Sequence, residues 1–219
     1  MYTITDLYDL DHTLAKDYLA QFTYPWEALA GIKEMIVGLG KNLDPAEYDE
    51  ISENVWVHKT ATVFPSAYIG APAIIGPNTE VRHGAFIRSA ALVGADCVVG
   101  NSVELKNVIL FDNVQTPHYN YVGDSILGYH SHMGAGSITS NIKSDKTNIV
   151  VRDGSAALET GLRKIGAMLG DYVEVGCNSV LNPGTVIGRH SNVYPTSSVR
   201  GTVPANSIFK DGGEIIEKQ

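Results

Sequence analysis

The sequence predicts a mainly β protein, a parallel β-helix built from six-residue repeats, and three observations carry that prediction. The first is a period. Every sixth residue from Val57 is apolar, through Val63, Ile69, Ile75, Val81, Ile87, Val93, Val99, Leu105 and Phe111. At 44% apolar content, one chosen phase would do this by chance roughly three times in ten thousand, so the period is read as a structural repeat. The second is its company. Four residues on stands a small residue (Ala61, Ala67, Ala73, Thr79, Ala85, Ala91, Cys97), and one residue on there is often glycine (Gly70, Gly76, Gly94, Gly100). The third is its return after an interruption, at Leu169, Val175, Leu181, Ile187, Val193 and Val199.

A period of six fits neither an amphipathic helix, which needs 3.6, nor an alternating strand, which needs 2. It fits a coil with flat facets, in which each aliphatic side chain stacks on its counterpart one turn on. Glycine supplies the tight corners. Three facets close a rung of 18 residues. The alternative is an ordinary sandwich of short strands.

The elements follow in order. Residues 1–50 read as a helical N-terminal cap, since a bare rung is an open strand edge. Helices are expected over 12–22 and 26–39, with Pro25 at a first helical position, Glu27 in the first turn and Gly38 or Gly40 as a stop. Residues 51–205 form the β-helix, and 206–219 a C-terminal tail lying outside. Two loops break the repeat. The first spans 111–121, where the step from Phe111 to Val122 is eleven residues instead of six. The second spans 139–165 and holds Asn141, Lys143, Lys146 and Arg152. Insertions in a solenoid map to loops on one face and commonly carry function.

The net charge of −8 gives a nucleic-acid backbone no electrostatic support, although a local basic cluster can still hold a small anion. Cys97 and Cys177 are far apart, without a CxxC pair, which suggests a reducing compartment. No signal-peptide pattern opens the chain and no apolar run nears the ~20 residues of a membrane span. A cytoplasmic protein with no membrane partner is expected.

Arg88 and Lys106 each follow an inward aliphatic and lie 18 residues apart, so they are expected to stack on one facet. Two such cations repel unless an anion lies between them, and a phosphate would suit. The plain alternative is two solvated surface cations. His118 is placed in the first loop, where the plain alternative is surface decoration. Its position 12 residues past Lys106 puts it two facets on.

Arg88, Val-Glu-Leu-Lys106, Pro-His118-Tyr-Asn-Tyr121-Val-Gly-Asp, Met-Gly-Ala-Gly and Ile-Thr-Ser-Asn141 resemble, in that order, the acetyltransferase domain of bacterial bifunctional N-acetylglucosamine-1-phosphate uridylyltransferase/glucosamine-1-phosphate acetyltransferase. The resemblance covers about residues 50–205. It implies a left-handed β-helix, which the period alone does not, and a homotrimer with coenzyme A between subunits. It implies acetyl transfer from acetyl-CoA to the amine of glucosamine 1-phosphate or a similar amino-sugar phosphate. Arg88 and Lys106 would bind the sugar phosphate, and His118 would be the general base. Tyr121 and Asn141 would position the sugar, and Ala135 and Cys177 would lie near the cofactor. His132 stands where the family has asparagine among the substrate contacts. Cys177 replaces a serine, Tyr194-Pro195 replaces small residues, and the second loop is longer and reads Asn-Ile-Lys-Ser. No glycine-rich nucleotide loop opens the chain, so nucleotidyl transfer is not expected.

The residue types agree with that chemistry. An amine attacking a thioester needs a base near pH 7, and histidine supplies one. Two other classes remain. One is a non-catalytic trimeric scaffold that kept the fold. The other is a zinc-dependent carbonic anhydrase of the same helix type, which would want a histidine pair about five residues apart and a third on a neighbouring rung, a spacing that 118, 130 and 132 do not show. No metal site is expected.

Overall fold

In the computed structural model, which describes residues 1–218, the chain from Val55 to Phe209 winds as a parallel β-helix. Each coil has three faces, and each face contributes a short strand that pairs in parallel with its counterpart one coil on. The first face carries Val55–His58, Ala73–Ile75, Ala167–Leu169 and Thr185–Ile187. The second carries Thr62–Val63, Glu80–Val81, Val98–Asn101, Gln115–His118, His132–Met133 and Glu174–Val175. The third carries Tyr68–Ile69, Ile138–Thr139, Val180–Leu181 and Ser198–Val199. Three longer strands, Phe86–Val93, Glu104–Leu110 and Tyr121–Leu127, turn the corner from the third face to the first.

The register follows from the repeat. Val57, Ile75 and Val93 align on the first face, Val63, Val81 and Val99 on the second, and Ile69, Ile87 and Leu105 on the third. Each aliphatic thus buries itself on the next, which is what a period of six is for. The corner after the first face needs one residue in the left-handed region. Asn78, Asp96, Asn113, His130, Tyr172, His190 and Asn206 take it in turn, with φ between 53° and 60°. Six of the seven are Asn, Asp or His types that tolerate this region, as expected of single-residue corners.

Three expectations are corrected. Residues 111–121 do not leave the wall. Val93 pairs with Leu110, not Phe111, and Val99 pairs with Thr116. This coil is one residue short, so the chain stays in the sheet and Gln115–His118 is a strand of the second face. Thr116 takes the inward position, fully buried, with its hydroxyl donating to the Val98 carbonyl at 3.1 Å. A count of apolar residues misses it. Phe111 instead packs on Tyr8, ring centres 5.1 Å apart.

The N-terminal segment is not an end cap. On the first face the outward side chains are also apolar: Trp56, Ile74, Leu92, Ile109, Ile126, Met168 and Val186 are all buried. Strands covered on both sides read as continuous apolar runs, and Ala-Ile-Ile and Val-Ile-Leu are such runs. The cover is the N-terminal segment, which runs along this flank. The Ala205 amide donates to the Tyr2 hydroxyl at 2.7 Å at one end, and Gly40 lies against Trp56 at the other. It folds as short helices, Ile4–Leu7, Lys16–Leu19 and Ile32–Gly40, with a 3-10 stretch at Pro25–Gly31. The expected helices over 12–22 and 26–39 are shortened accordingly. The Glu27 carboxylate accepts from the Thr23 and Tyr24 amides and fixes the start of the stretch.

The C-terminal residues are not a free tail. Ser207–Phe209 completes the second-face stack, and Ile215–Glu217 pairs back on it antiparallel. At the other end Tyr48–Ser52 pairs antiparallel with Val55–His58. These short antiparallel strands blunt the open edges.

Between Thr139 and Ala167 the chain makes its one long excursion among the described residues, carrying the hairpin Val150–Asp153 and Ala156–Glu159. Ile149 and Val151 are buried, and the Thr202 hydroxyl donates to the Arg152 carbonyl at 2.8 Å, so the hairpin is docked on the last coils.

Candidate active site

The Tyr-Val-Gly-Asp stretch at 121–124 organises one corner of the β-helix. Tyr121 points out of the third face. A Cβ at Gly123 would sit 2.5 Å from its hydroxyl, so only glycine lets the ring lie across the face. The ring then reaches Asn141, whose amide donates to the Tyr121 hydroxyl at 3.1 Å. Asp124 turns the next corner with φ 50° and is almost fully buried. One carboxylate oxygen accepts from the Lys106 ammonium at 2.8 Å and the Asn107 amide at 2.9 Å; the other accepts from Asn141 at 2.6 Å. Burial, with the Asp124 and Glu104 carboxylates adding to it, holds the Tyr121 phenol above its ordinary pKa, so it stays neutral.

Lys106, Tyr121 and Asn141 are thus brought together, although 35 residues separate the first from the last. Arg88 does not stack on Lys106 as expected. A bulge between Ile87 and Ser89 puts Ser89 opposite Lys106, and Arg88 pairs instead with Glu104 at 3.3 Å. Each cation already has a carboxylate, so no anion is required between them.

Beside Asp124 opens a cavity of about 430 Å³, with Leu29 of the N-terminal segment on one wall and Ile142, Arg163 and Lys164 of the inserted loop on the other. Arg163 and Lys164 have no ion-pair partner among the described residues. Asn107 donates to the Leu29 carbonyl at 3.2 Å and the Gly166 amide donates to the Asp124 carbonyl at 2.7 Å. Asp124 therefore ties together the corner, the N-terminal segment and both ends of the loop.

His118 lies on the second-face wall, exposed, where the corner to the third face begins. Its Cα partner one coil below is Asn101. One coil above is Ala135, since the Gly136 amide donates to the His118 carbonyl, and next comes Cys177, since the Asn178 amide donates to the Ala135 carbonyl. His118, Ala135 and Cys177 therefore stand in one column on consecutive coils, about 4.8 Å apart. Asn120, buried behind the column, accepts from the His118 amide at 3.2 Å and donates to the Gly134 carbonyl at 2.8 Å. The imidazole of His118 makes no hydrogen bond among the described residues. Above it on the second face runs a groove of about 480 Å³, lined in part by His132, Glu174, Cys177, Tyr194 and Pro195. His132 pairs with Glu174 at 2.8 Å, one face away from the Asp124 cluster.

Sequence reasoning missed Asp124, Asn107, Asn120, Arg163 and Lys164. For the first two a signal existed: Ala90, Asn107 and Asp124 recur at 17-residue spacing as the left-handed corner after the third face. Arg163 and Lys164 sit where the loop rejoins the wall, a place no repeat count marks.

Known proteins similar to this chain agree with one another. A bifunctional sugar-1-phosphate nucleotidylyltransferase/acetyltransferase from Sulfurisphaera tokodaii is 28% identical over 94% of the chain and 54% of its own length. A bifunctional protein GlmU from Methanococcus maripaludis is 31% identical over 93% of the chain and 50% of its own length. The chain spans about half the length of these curated relatives. Among solved structures, a hexapeptide transferase family protein from Anaplasma phagocytophilum aligns over 74% of this chain and 78% of its own, at 15% identity and a TM-score of 0.42. A family model described as the GMPPB C-terminal domain matches residues 80–193, which hold the whole stretch from Arg88 to Asn141 and both candidate corners. With more than half of its length inside that match, the chain belongs to the GMPPB C-terminal domain family.

Proposed function

We propose that the protein is an acetyl-CoA-dependent N-acetyltransferase acting on an amino-sugar phosphate such as glucosamine 1-phosphate, and that the residues described carry acyl transfer and not nucleotidyl transfer. The observation that carries this reading is the column of His118, Ala135 and Cys177 one corner away from the Lys106, Tyr121 and Asn141 cluster. The column suits a thioester laid along the corner, and the cluster suits a sugar laid across the third face.

In the reaction, the neutral amine of the acceptor attacks the thioester carbonyl. The imidazole of His118 takes the proton from the attacking nitrogen, the carbon–sulfur bond breaks, and the thiol of coenzyme A leaves with a proton. A ring free of intramolecular hydrogen bonds suits that task. Tyr121 accepts from Asn141, so its own hydroxyl hydrogen is free to donate to a sugar oxygen. Asn141 uses its amide on Tyr121 and Asp124 and keeps its carbonyl oxygen as an acceptor. Lys106, with Arg88 at the rim, and the unpaired Arg163 and Lys164 give the acceptor phosphate a cationic wall. We place the acetyl-CoA in the groove above His118, with Ala135 and Cys177 beside it and His132 at its edge. A homotrimer supplies the missing wall, a neighbouring copy closing the corner between the second and third faces. A cytoplasmic location is part of this reading.

The test is thiol release from acetyl-CoA in the presence of glucosamine 1-phosphate and related amino-sugar phosphates. Turnover is expected, with His118→Ala lowering kcat by roughly 10²–10⁴-fold and leaving the melting temperature unchanged. No turnover with any acceptor sinks the enzyme reading in favour of a binding scaffold. Equal turnover in the variant sinks the assignment of His118.

A further inference from the structure

The inserted loop also encloses a second, smaller cavity, of about 250 Å³, between its hairpin and the coils at Pro183, Gly184 and Gly201. Three cations line it, each from a different segment: Lys143 from the start of the insertion, Arg152 from the hairpin, and Arg200 from the third-face edge of a late coil. No carboxylate among the described residues lines it. The chain has 24 acidic residues against 16 Lys and Arg, so three converging cations with no acid among them run against its composition. Like charges held together repel. Arg152 and Arg200 have no ion-pair partner among the described residues; Lys143 reaches only Asp145, at 3.5 Å, and the Thr147 hydroxyl, both in its own turn.

The backbone holds this arrangement in place. The Thr202 hydroxyl, two residues after Arg200 in the chain, donates to the Arg152 carbonyl, which holds the backbones that carry the two exposed arginines beside each other. Ile149 and Val151 anchor the hairpin strand by burial on either side of Val150. Gly184 has φ 79°, and a Cβ there would sit 2.7 Å from the Ile149 side chain, so glycine is what lets the hairpin close down on the coil. None of these residues belongs to the Asp124 cluster or to the His118 column.

We propose that this cavity binds a diphosphate group. Three cations match the roughly three negative charges of a free or singly esterified diphosphate, given about 1.5 to 2 on a terminal phosphoryl group at neutral pH, and outnumber the roughly two of one esterified at both ends. Two guanidinium forks and one point charge are the side chains that recognise phosphoryl oxygens bidentately and singly. The volume lies below the ~300–1,000 Å³ of sites that engulf a whole small molecule, so it takes the diphosphate and leaves the rest of the ligand outside. A nucleotide-linked sugar and coenzyme A both carry that group.

The test is calorimetric titration of the intact protein with inorganic pyrophosphate at low ionic strength. The Arg163→Gln/Lys164→Gln variant is expected to keep this binding event and to lose at most a second one, at the phosphate wall beside Asp124, which separates the two cavities. Arg152→Gln/Arg200→Gln is expected to weaken binding by at least about tenfold, the loss of charge-assisted contacts at both ends, with an unchanged circular dichroism spectrum. Competition with UDP and with coenzyme A identifies the source: the competitor that displaces pyrophosphate from wild type is the one that uses the site. The proposal is overturned if wild type binds no pyrophosphate, or if the double variant binds it as tightly as wild type.

Discussion

Replacing Asp124 with asparagine is the sharpest probe of the candidate site. The carboxylate is 3% exposed and accepts three side-chain hydrogen bonds, from Lys106, Asn107 and Asn141. Asparagine keeps the shape but removes the charge and turns one acceptor into a donor facing another donor. The Lys106 ammonium, whose side chain is only 24% exposed, is then left without its counter-ion. Breaking a charged bond costs about 1.5–3 kcal/mol, and stranding a buried charge about 3–5. Partial exposure of Lys106 places this case at about 2–4 kcal/mol. At ~2–4 °C per kcal/mol for a domain of this size, the melting temperature should fall by roughly 4–16 °C. The cause is separable by a double-mutant cycle with Lys106→Met. Once the ammonium is gone, Asp124→Asn should cost at least about 1 kcal/mol less than it does in wild type. Thermal unfolding of the four proteins by circular dichroism reads the cycle. Additivity within about 0.5 kcal/mol would refute the account of Asp124 as the counter-charge of Lys106.

Three further outcomes are expected. Gly40→Ala would put a Cβ 2.2 Å from the Trp56 ring, an overpacking that should cost about 1–3 kcal/mol and loosen the N-terminal segment first; resistance of that segment to limited proteolysis in the variant would count against its docking on the first face. Asn120→Ala removes the buried bonds behind His118 and should cost about 1–3 kcal/mol, with a fall in kcat larger than any change in KM; an unchanged melting curve would show that Asn120 is not a support. The Cys97 thiol is pushed up to about 12 by burial, while Cys177 is exposed, so a disulfide reagent should titrate one thiol in the native protein and two in denaturant.

Much of the scaffold was legible in the sequence because burial recurs at fixed phase. Val57, Ile75 and Val93 announce their alignment by spacing alone. The reading failed where a residue left that code. Thr116 is inward but polar, satisfied by the Val98 carbonyl, so a single missing residue in the coil looked like an eleven-residue loop. Trp56, Ile74 and Leu92 are outward but apolar, a signal that was present and unread, and with it the place of the N-terminal segment. For the site, the identities of His118, Tyr121 and Asn141 came from ordered resemblance, and the physical reason Tyr121 meets Asn141 while Arg88 leaves Lys106 did not. That reason lies in Gly123, which lets the Tyr121 ring lie flat, and in the bulge after Ile87, which sends Arg88 to Glu104. Neither a missing Cβ nor a bulge is visible as a pattern of residue types.

The apolar outward residues on one face in three have a consequence for how the chain can work. They seal the first face under the N-terminal segment, which leaves the proposed trimer the second and third faces, whose shared corner bears His118, Ala135 and Cys177. Tyr68 and Phe86 stand outward and exposed on the third face, in the same column as Tyr121. In the proposed trimer that column is where a neighbour packs, and the packing brings its second face against this chain's thioester corner. The opposite corner, after the third face, is left to the inserted loop and the N-terminal segment, which meet over Asp124. In the proposed enzyme, acceptor choice is thereby separated from acyl transfer. Changes at Leu29, Ile142 or Arg163 reshape the cavity beside Asp124 while the His118 column stays as it is, so they should alter which acceptor is used before they alter the rate of thioester attack.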